Sequence, residues 1–300
     1  MRWPAAYAPF ARLIAPAGAS PSVFPALAVF IVIELLYGVS LDWRDALVGW
    51  IWPSRLPDLL ARVTIWSILV DLFSFALLGG LVLAVVRRGY NRSVVTLTGP
   101  FKPMLREIPR AALAALALFA TVEMIMPWWS PEQTEMQPLD RWLLILPVSL
   151  AALLVQVGAE ELLYRGYLQQ QIASRFPHPL IWMILPNIAF AAAHWFNETD
   201  AIWALAYVIW AFAFGVLASD LTARSGHLGP AVGFHLANNI YAFLFIGEAG
   251  MPDGALALFQ TAPFPHSSEV TADAAFWVGL SVDILVLVLA WLAVRLAIRR

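Results

Sequence analysis

The sequence predicts an all-α polytopic membrane protein, with about eight transmembrane helices around an intramembrane polar cavity. Three observations predict it. Of 300 residues, 61% are apolar and only 13% charged, and the mean hydropathy is +0.75, outside the range of soluble domains. Apolar runs near the ~20 residues needed to cross a hydrocarbon layer recur at 24–39, 63–86, 111–129, 142–163, 179–196, 201–221, 229–247 and 274–294. Finally, the run 142–163 holds two adjacent carboxylates, Glu160 and Glu161, and charge at membrane depth demands a partner, a water-filled cavity or a functional reason. The chain reads as one transmembrane domain, 1–300, with its polar core at 142–247.

Element by element, the first run follows a proline-broken start (Pro4, Pro9, Pro16, Pro21, Pro25) that fits a retained span better than a cleaved signal peptide. The segment 40–62, with Trp50-Ile51-Trp52-Pro53, reads as a short amphipathic interfacial helix. The connection 87–110 is basic and broken by Gly99-Pro100 and Pro103, which suits a loop against anionic head groups. The connection 248–272 reads as irregular. An even number of spans puts both termini on one side, and that side collects fourteen of the 18 basic residues. The positive-inside rule then makes both termini cytoplasmic, and the expected location is the inner membrane of a bacterium. Trp43, Trp50, Trp52, Trp128, Trp129, Trp142 and Trp195 fall at the opposite ends, as an aromatic belt does.

No basic block is long enough for nucleic acid, and the expected partners are membrane lipid and a peptide or protein substrate, in an oligomeric state the sequence leaves open. The absence of cysteine removes thiolate nucleophiles and cysteine-ligated metal sites. Chemistry falls to Glu, Asp, His, Asn and Ser.

The isolated acids Glu34, Asp71, Glu123 and Asp283 read as interhelical hydrogen-bond or packing groups, and Asp220 as the i, i+4 partner of Arg224. A second group has more structure in its spacing. Glu161 and Arg165 are four apart and share a helical face, which leaves Glu160 about 100° away and free to act as a base. His194 closes Phe190-Ala191-Ala192-Ala193-His194, where small residues leave room beside the imidazole. His235 and Asn239 again share a face. From the hairpin near Phe176-Pro177, both Glu160 and His194 lie roughly 22–24 Å along their helices, so they reach one depth. His235 comes about 9 Å after Gly229. One tension remains in this reading, because the polar turn Asn197-Glu198-Thr199-Asp200 follows His194 at once. Either it dips toward a polar cavity, or the ends of the fifth and sixth spans lie elsewhere.

Glu160-Glu161-x-x-x-Arg165, Phe190-x-x-x-His194 and His235-x-x-x-Asn239 together resemble the three motifs of the CPBP family, intramembrane proteases related to CAAX prenyl endopeptidases and bacteriocin-processing proteins. The resemblance covers roughly 142–247, including Gly166-Tyr167-Leu168 and Ser225-Gly226-His227-Leu228. It implies a catalytic helix core in which Glu160 and His194 activate water, His235 and Asn239 steady the oxyanion, and Glu161 and Arg165 support them. No cofactor is required on that reading. Zinc or another divalent metal on Glu160, His194 and His235 is the alternative, less favoured because the His-Glu-x-x-His signature is absent. Prenylated ends and other membrane-bound peptides both remain open as substrates. Two other classes compete: an ion-coupled transporter, for which the expected inverted repeat is missing, and a non-catalytic scaffold, for which a damaged motif would be the sign.

Overall fold

In the computed structural model, residues 4–18, 22–125, 134–198, 200–262 and 272–300 are described. The main helices are α1 (Phe24–Ile51), α2 (Ile65–Gly89), α3 (Phe101–Ile125), α4 (Leu139–Ala173), α5 (Pro179–Ala193), α6 (Ala201–Ser225), α7 (Gly229–Ile240) and α8 (Ala274–Ile298). Seven are long and apolar enough to cross a membrane. The eighth, α7, continues as a π-helical turn over Tyr241–Phe245 and is simply shorter. The protein is an integral membrane protein, and its exposed leucines, isoleucines and tryptophans, such as Leu36, Trp43, Leu144 and Leu296, are the surface such a protein offers to lipid.

Local chemistry sets several helix starts. Thr64 and Ser67 form a reciprocal capping box at α2, with Ser67 N–H donating to Thr64 Oγ1 at 3.2 Å. Asp200 Oδ1 accepts from Ile202 N–H at 2.8 Å at the start of α6, and Asp273 Oδ1 accepts from Phe276 N–H at 2.9 Å at the start of α8. At one end of the bundle lie both termini and the α2–α3, α4–α5 and α6–α7 connections. There Arg175 Nε donates to Ser22 O at 2.8 Å and Leu228 N–H donates to Thr98 O at 2.9 Å. That last turn is recessed toward the core: Gly99 (φ 76°) lies so close that a Cβ would meet His227 Cβ at 2.5 Å and Gly226 O at 2.6 Å.

Several boundaries differ from the sequence reading. Residues 40–51 do not lie along the interface but extend α1, because Arg44 is neutralised across the bundle by Asp71 at 2.9 Å. Only the short pieces Pro53–Arg55 and Leu56–Ala61 remain at that end. Residues 101–110, expected as loop, are the first turns of α3. The connection 248–272 is not wholly irregular, since β1 (Thr134–Met136) pairs antiparallel with β3 (Phe259–Thr261), and β3 parallel with β2 (Ile246–Glu248). Trp142 does more than anchor, as its Nε1–H donates to Leu244 O at 3.1 Å and Leu256 O at 3.2 Å under this small sheet. Trp128 and Trp129 lie outside the described residues.

Of the isolated acids, Glu34 accepts from Tyr164 Oη at 2.8 Å, Asp71 pairs with Arg44 and Glu123 accepts from Tyr241 Oη. Asp220 pairs with Arg224 at 2.7 Å as expected, and also accepts from Tyr7 Oη at 2.7 Å and Trp291 Nε1 at 3.0 Å. Asp283 makes no interhelical hydrogen bond among the described residues and is exposed on α8.

Candidate active site

Glu160 and Glu161 end the regular part of α4, and the chain then widens into a π-helix over Leu162–Gln169 before one last turn to Ala173. Such stretches are rare and concentrate at functional sites. Arg165, inside the widened stretch, is fully buried and its Nη1 sits 3.0 Å from Glu161 Oε1. The same oxygen is 2.9 Å from Nδ1 of His235. An ionised carboxylate only accepts, so Nδ1 of His235 carries a proton and its Nε2 points on toward Glu160 Oε2 at 3.5 Å. The result is a continuous array, Arg165, Glu161, His235 and Glu160, drawn from two helices.

Burial of this array rules out solvent as its main stabiliser. Glu161 and Arg165 are wholly inaccessible, and Glu160, His235 and Asn239 nearly so. Charges removed from water are tolerable only when paired and hydrogen-bonded, and Arg165 shows the required density of partners. Its Nη2 approaches Asn187 Oδ1 at 3.4 Å and Gly215 O at 3.3 Å, and its guanidinium lies 4.5 Å from the centre of the Phe190 ring.

Phe190 is the hinge of the arrangement. Its ring touches His194 (4.5 Å between centroids), Tyr164 (5.0 Å) and His235 (6.2 Å). Its carbonyl oxygen lies 2.7 Å from His194 Nδ1. A carbonyl can only accept, so Nδ1 holds the proton and Nε2 of His194 keeps a free lone pair. His194 makes no direct bond to Glu160 or His235, but lies within electrostatic range of both. It caps the C-terminus of α5 and is half-exposed, and the turn Trp195–Asn197 follows immediately. At 15 residues α5 is about 22 Å long, shorter than a hydrocarbon core. With the turn Trp195–Asn197 the apolar span runs to Asn197, 19 residues in all, so His194 lies within its last turn and the polar residues follow directly.

Asn239 is four residues beyond His235, and its Nδ2 donates to Gln156 Oε1 at 2.7 Å. That leaves one amide hydrogen uncommitted. Gln156, Asn187 and Gly215 also belong to the site, although the sequence motifs do not contain them. Gln156 had a legible signal, since it precedes Glu160 by four residues on the same face. Gly215 had none: a Cβ there would meet Asn187 Oδ1 at 2.4 Å, a crowding no sequence pattern announces.

Among the described residues no three His, Cys, Asp or Glu side chains are grouped so as to hold a metal ion. Of the three candidate ligands, Glu160 and His235 face each other while His194 stands apart.

Residues 141–241 match the family model of type II CAAX prenyl endopeptidases, Rce1-like. The helix core is thus similar to the Rce1-like family. This is a protease family, and the matched segment contains all of Glu160, Glu161, Arg165, His194, His235 and Asn239, which agrees with the resemblance to CPBP proteases. An uncharacterized protein of Bacillus subtilis (strain 168), YyaK, is 27% identical over 157 residues, covering 50% of this chain and 51% of that protein. The chain thus spans about half the length of the curated relative it matches. No solved structure matches.

Proposed function

We propose that the protein is an intramembrane endopeptidase that cleaves a membrane-associated peptide or protein with a water molecule activated by Glu160 and His194. The observation that carries the reading is the array in which Glu161 binds both Arg165 and Nδ1 of His235, leaving Nε2 of His235 directed at Glu160. The Rce1-like match supports it at the level of the family.

In this mechanism Glu160 takes a proton from water, with His194 Nε2 as the second acceptor, and the oxygen attacks the scissile carbonyl carbon. The carbonyl electron pair moves onto oxygen, where the Nε2–H of His235 and the uncommitted amide hydrogen of Asn239 donate to it. Glu161 stabilises positive charge on His235 and fixes its ring orientation. Collapse of the tetrahedral adduct breaks the C–N bond, and the proton held by Glu160 or His194 passes to the departing amine. Water is consumed, and an acid and an amine are released. The mechanism requires no metal. The bias of basic residues supports an inner-membrane location with cytoplasmic termini.

The test is cleavage of membrane-embedded peptides by purified protein, followed by mass spectrometry. Glu160→Gln and His194→Ala should each remove cleavage while leaving thermal unfolding in detergent close to wild type, and full activity in either variant refutes the assignment. Activity should also survive exhaustive chelation; loss on chelation with recovery on adding zinc would overturn the metal-free mechanism.

A further inference from the structure

One intramembrane carboxylate beside the site has no role in that mechanism. Glu34 lies midway along α1, outside the segment that matches the family model. Its Oε1 accepts from Tyr164 Oη at 2.8 Å. Tyr164 follows Glu160 by four residues and faces the same way, so Glu34 stands about one helical turn from the proposed base, within electrostatic range of it. No basic side chain pairs with Glu34 among the described residues, whereas Glu161 has Arg165 and Glu160 faces His235.

The surroundings of Glu34 are aromatic. Phe30 and Tyr37 precede and follow it at i−4 and i+3 on the half-buried face of α1. The ring of Phe30 meets that of Tyr164 at 5.8 Å, and Tyr37 packs on Phe75 at 5.4 Å. The Tyr37 hydroxyl has no hydrogen-bond partner among the described residues. A half-buried carboxylate with no counter-ion among the described residues is complementary to an organic cation, through charge-assisted hydrogen bonding. The site as a whole holds three carboxylates (Glu34, Glu160, Glu161) against one guanidinium, and Glu34 is the one left without a positive neighbour.

We propose that Glu34 is a specificity-determining residue, which binds a cationic nitrogen of the substrate close to the scissile bond. The substrate class is then a membrane-inserted peptide bearing a lysine or arginine, or a free N-terminal ammonium, at the depth of Glu160. This rests on the proteolytic reading above for its place in a reaction, but not for its measurement.

The experiment uses full-length protein in nanodiscs of phosphatidylcholine, with empty nanodiscs subtracted. Fluorescent apolar peptides, acetylated and amidated, carry either arginine or citrulline at the centre, and a third carries citrulline with a free N-terminus. Anisotropy should show the arginine or the free-amine peptide binding about tenfold or more tightly than the neutral one, and the arm that responds identifies the source of the cation. Glu34→Gln keeps an acceptor for Tyr164, so its unfolding temperature should hold while the preference collapses. A wild-type protein without preference, or a preference that survives Glu34→Gln, overturns the proposal. Mass spectrometry of the same samples separates the two readings. Cleavage without charge preference leaves proteolysis standing and removes the cation subsite. A Glu34-dependent preference with no cleavage of any peptide keeps the subsite and removes proteolysis.

Discussion

Replacing Glu161 by glutamine removes one negative charge from a fully enclosed site and changes little else. The glutamine Oε1 can still accept from Nδ1 of His235, so the 2.9 Å contact has a neutral substitute. Arg165 cannot be satisfied so easily, because it is wholly buried and always charged. Breaking a buried ion pair from one side costs about 3–5 kcal/mol. Asn187 Oδ1, Gly215 O and the Phe190 ring remain as partners, which places the expected loss toward the lower end, about 3 kcal/mol. The assay is reversible unfolding in mixed micelles or by steric trapping in bicelles. The double variant Glu161→Leu with Arg165→Met should recover most of the loss, because a buried ion pair exchanged for packed apolar groups is often neutral. A loss below about 1 kcal/mol in the single variant, or a double variant as unstable as the single one, refutes the claim that the pair is tightly coupled.

Gly215→Ala places a methyl group 2.4 Å from Asn187 Oδ1 and 2.9 Å from its Cγ, and overpacking of this kind costs about 1–3 kcal/mol. Unchanged stability in the same unfolding assay would mean that α5 and α6 are not in close contact there. His227, in the recessed α6–α7 turn, has its pKa pushed down to about 4 from 6.5 by burial and by Arg300 and Arg106. Glu107 Oε2 at 3.3 Å pulls the other way, but the backbone N–H of Gly229 donates to Nδ1 of His227 at 3.2 Å, a bond that protonation would destroy. The folded protein therefore binds this proton less readily than the unfolded chain. The contribution of His227 is complete above about pH 6.5 and is lost as the pH falls toward 4, by up to roughly 3 kcal/mol. Unfolding of wild type and His227→Asn measured across that window should differ in slope, and parallel curves refute the assignment.

Much of the bundle was legible because hydropathy reports burial in lipid directly, and the Glu161–Arg165 contact because a four-residue spacing on a helix is nearly a distance. Helix ends were less legible. Asp42, Arg44 and Asp45 look like an interface from sequence, yet Arg44 is neutralised by Asp71 on another helix, and no local window contains that partner. Strands of three residues carry no periodicity to detect, which is why the sheet of β1, β2 and β3 went unseen. The bridging role of Glu161 was invisible for a similar reason: its bond to His235 spans 74 positions. Gln156 and Asn187 are amides in apolar runs, less conspicuous than charges but as firmly tied into the site.

The first spanning helix illustrates a balance peculiar to lipid. Of the 28 residues of α1 only Ala26 and Ile33 are buried, the smallest buried share of any long helix described. Apolar contact with a neighbouring helix gains little over contact with acyl chains, so area does not hold α1 in place. Polar contacts do: Tyr167 Oη to Ala26 O at 3.1 Å near its start, Glu34 to Tyr164 at 2.8 Å at mid-depth, and Arg44 to Asp71 and Ser74, each at 2.9 Å, nearer the far interface. The docking of an entire helix thereby rests on a handful of directional contacts, each specific to one residue pair, rather than on buried area.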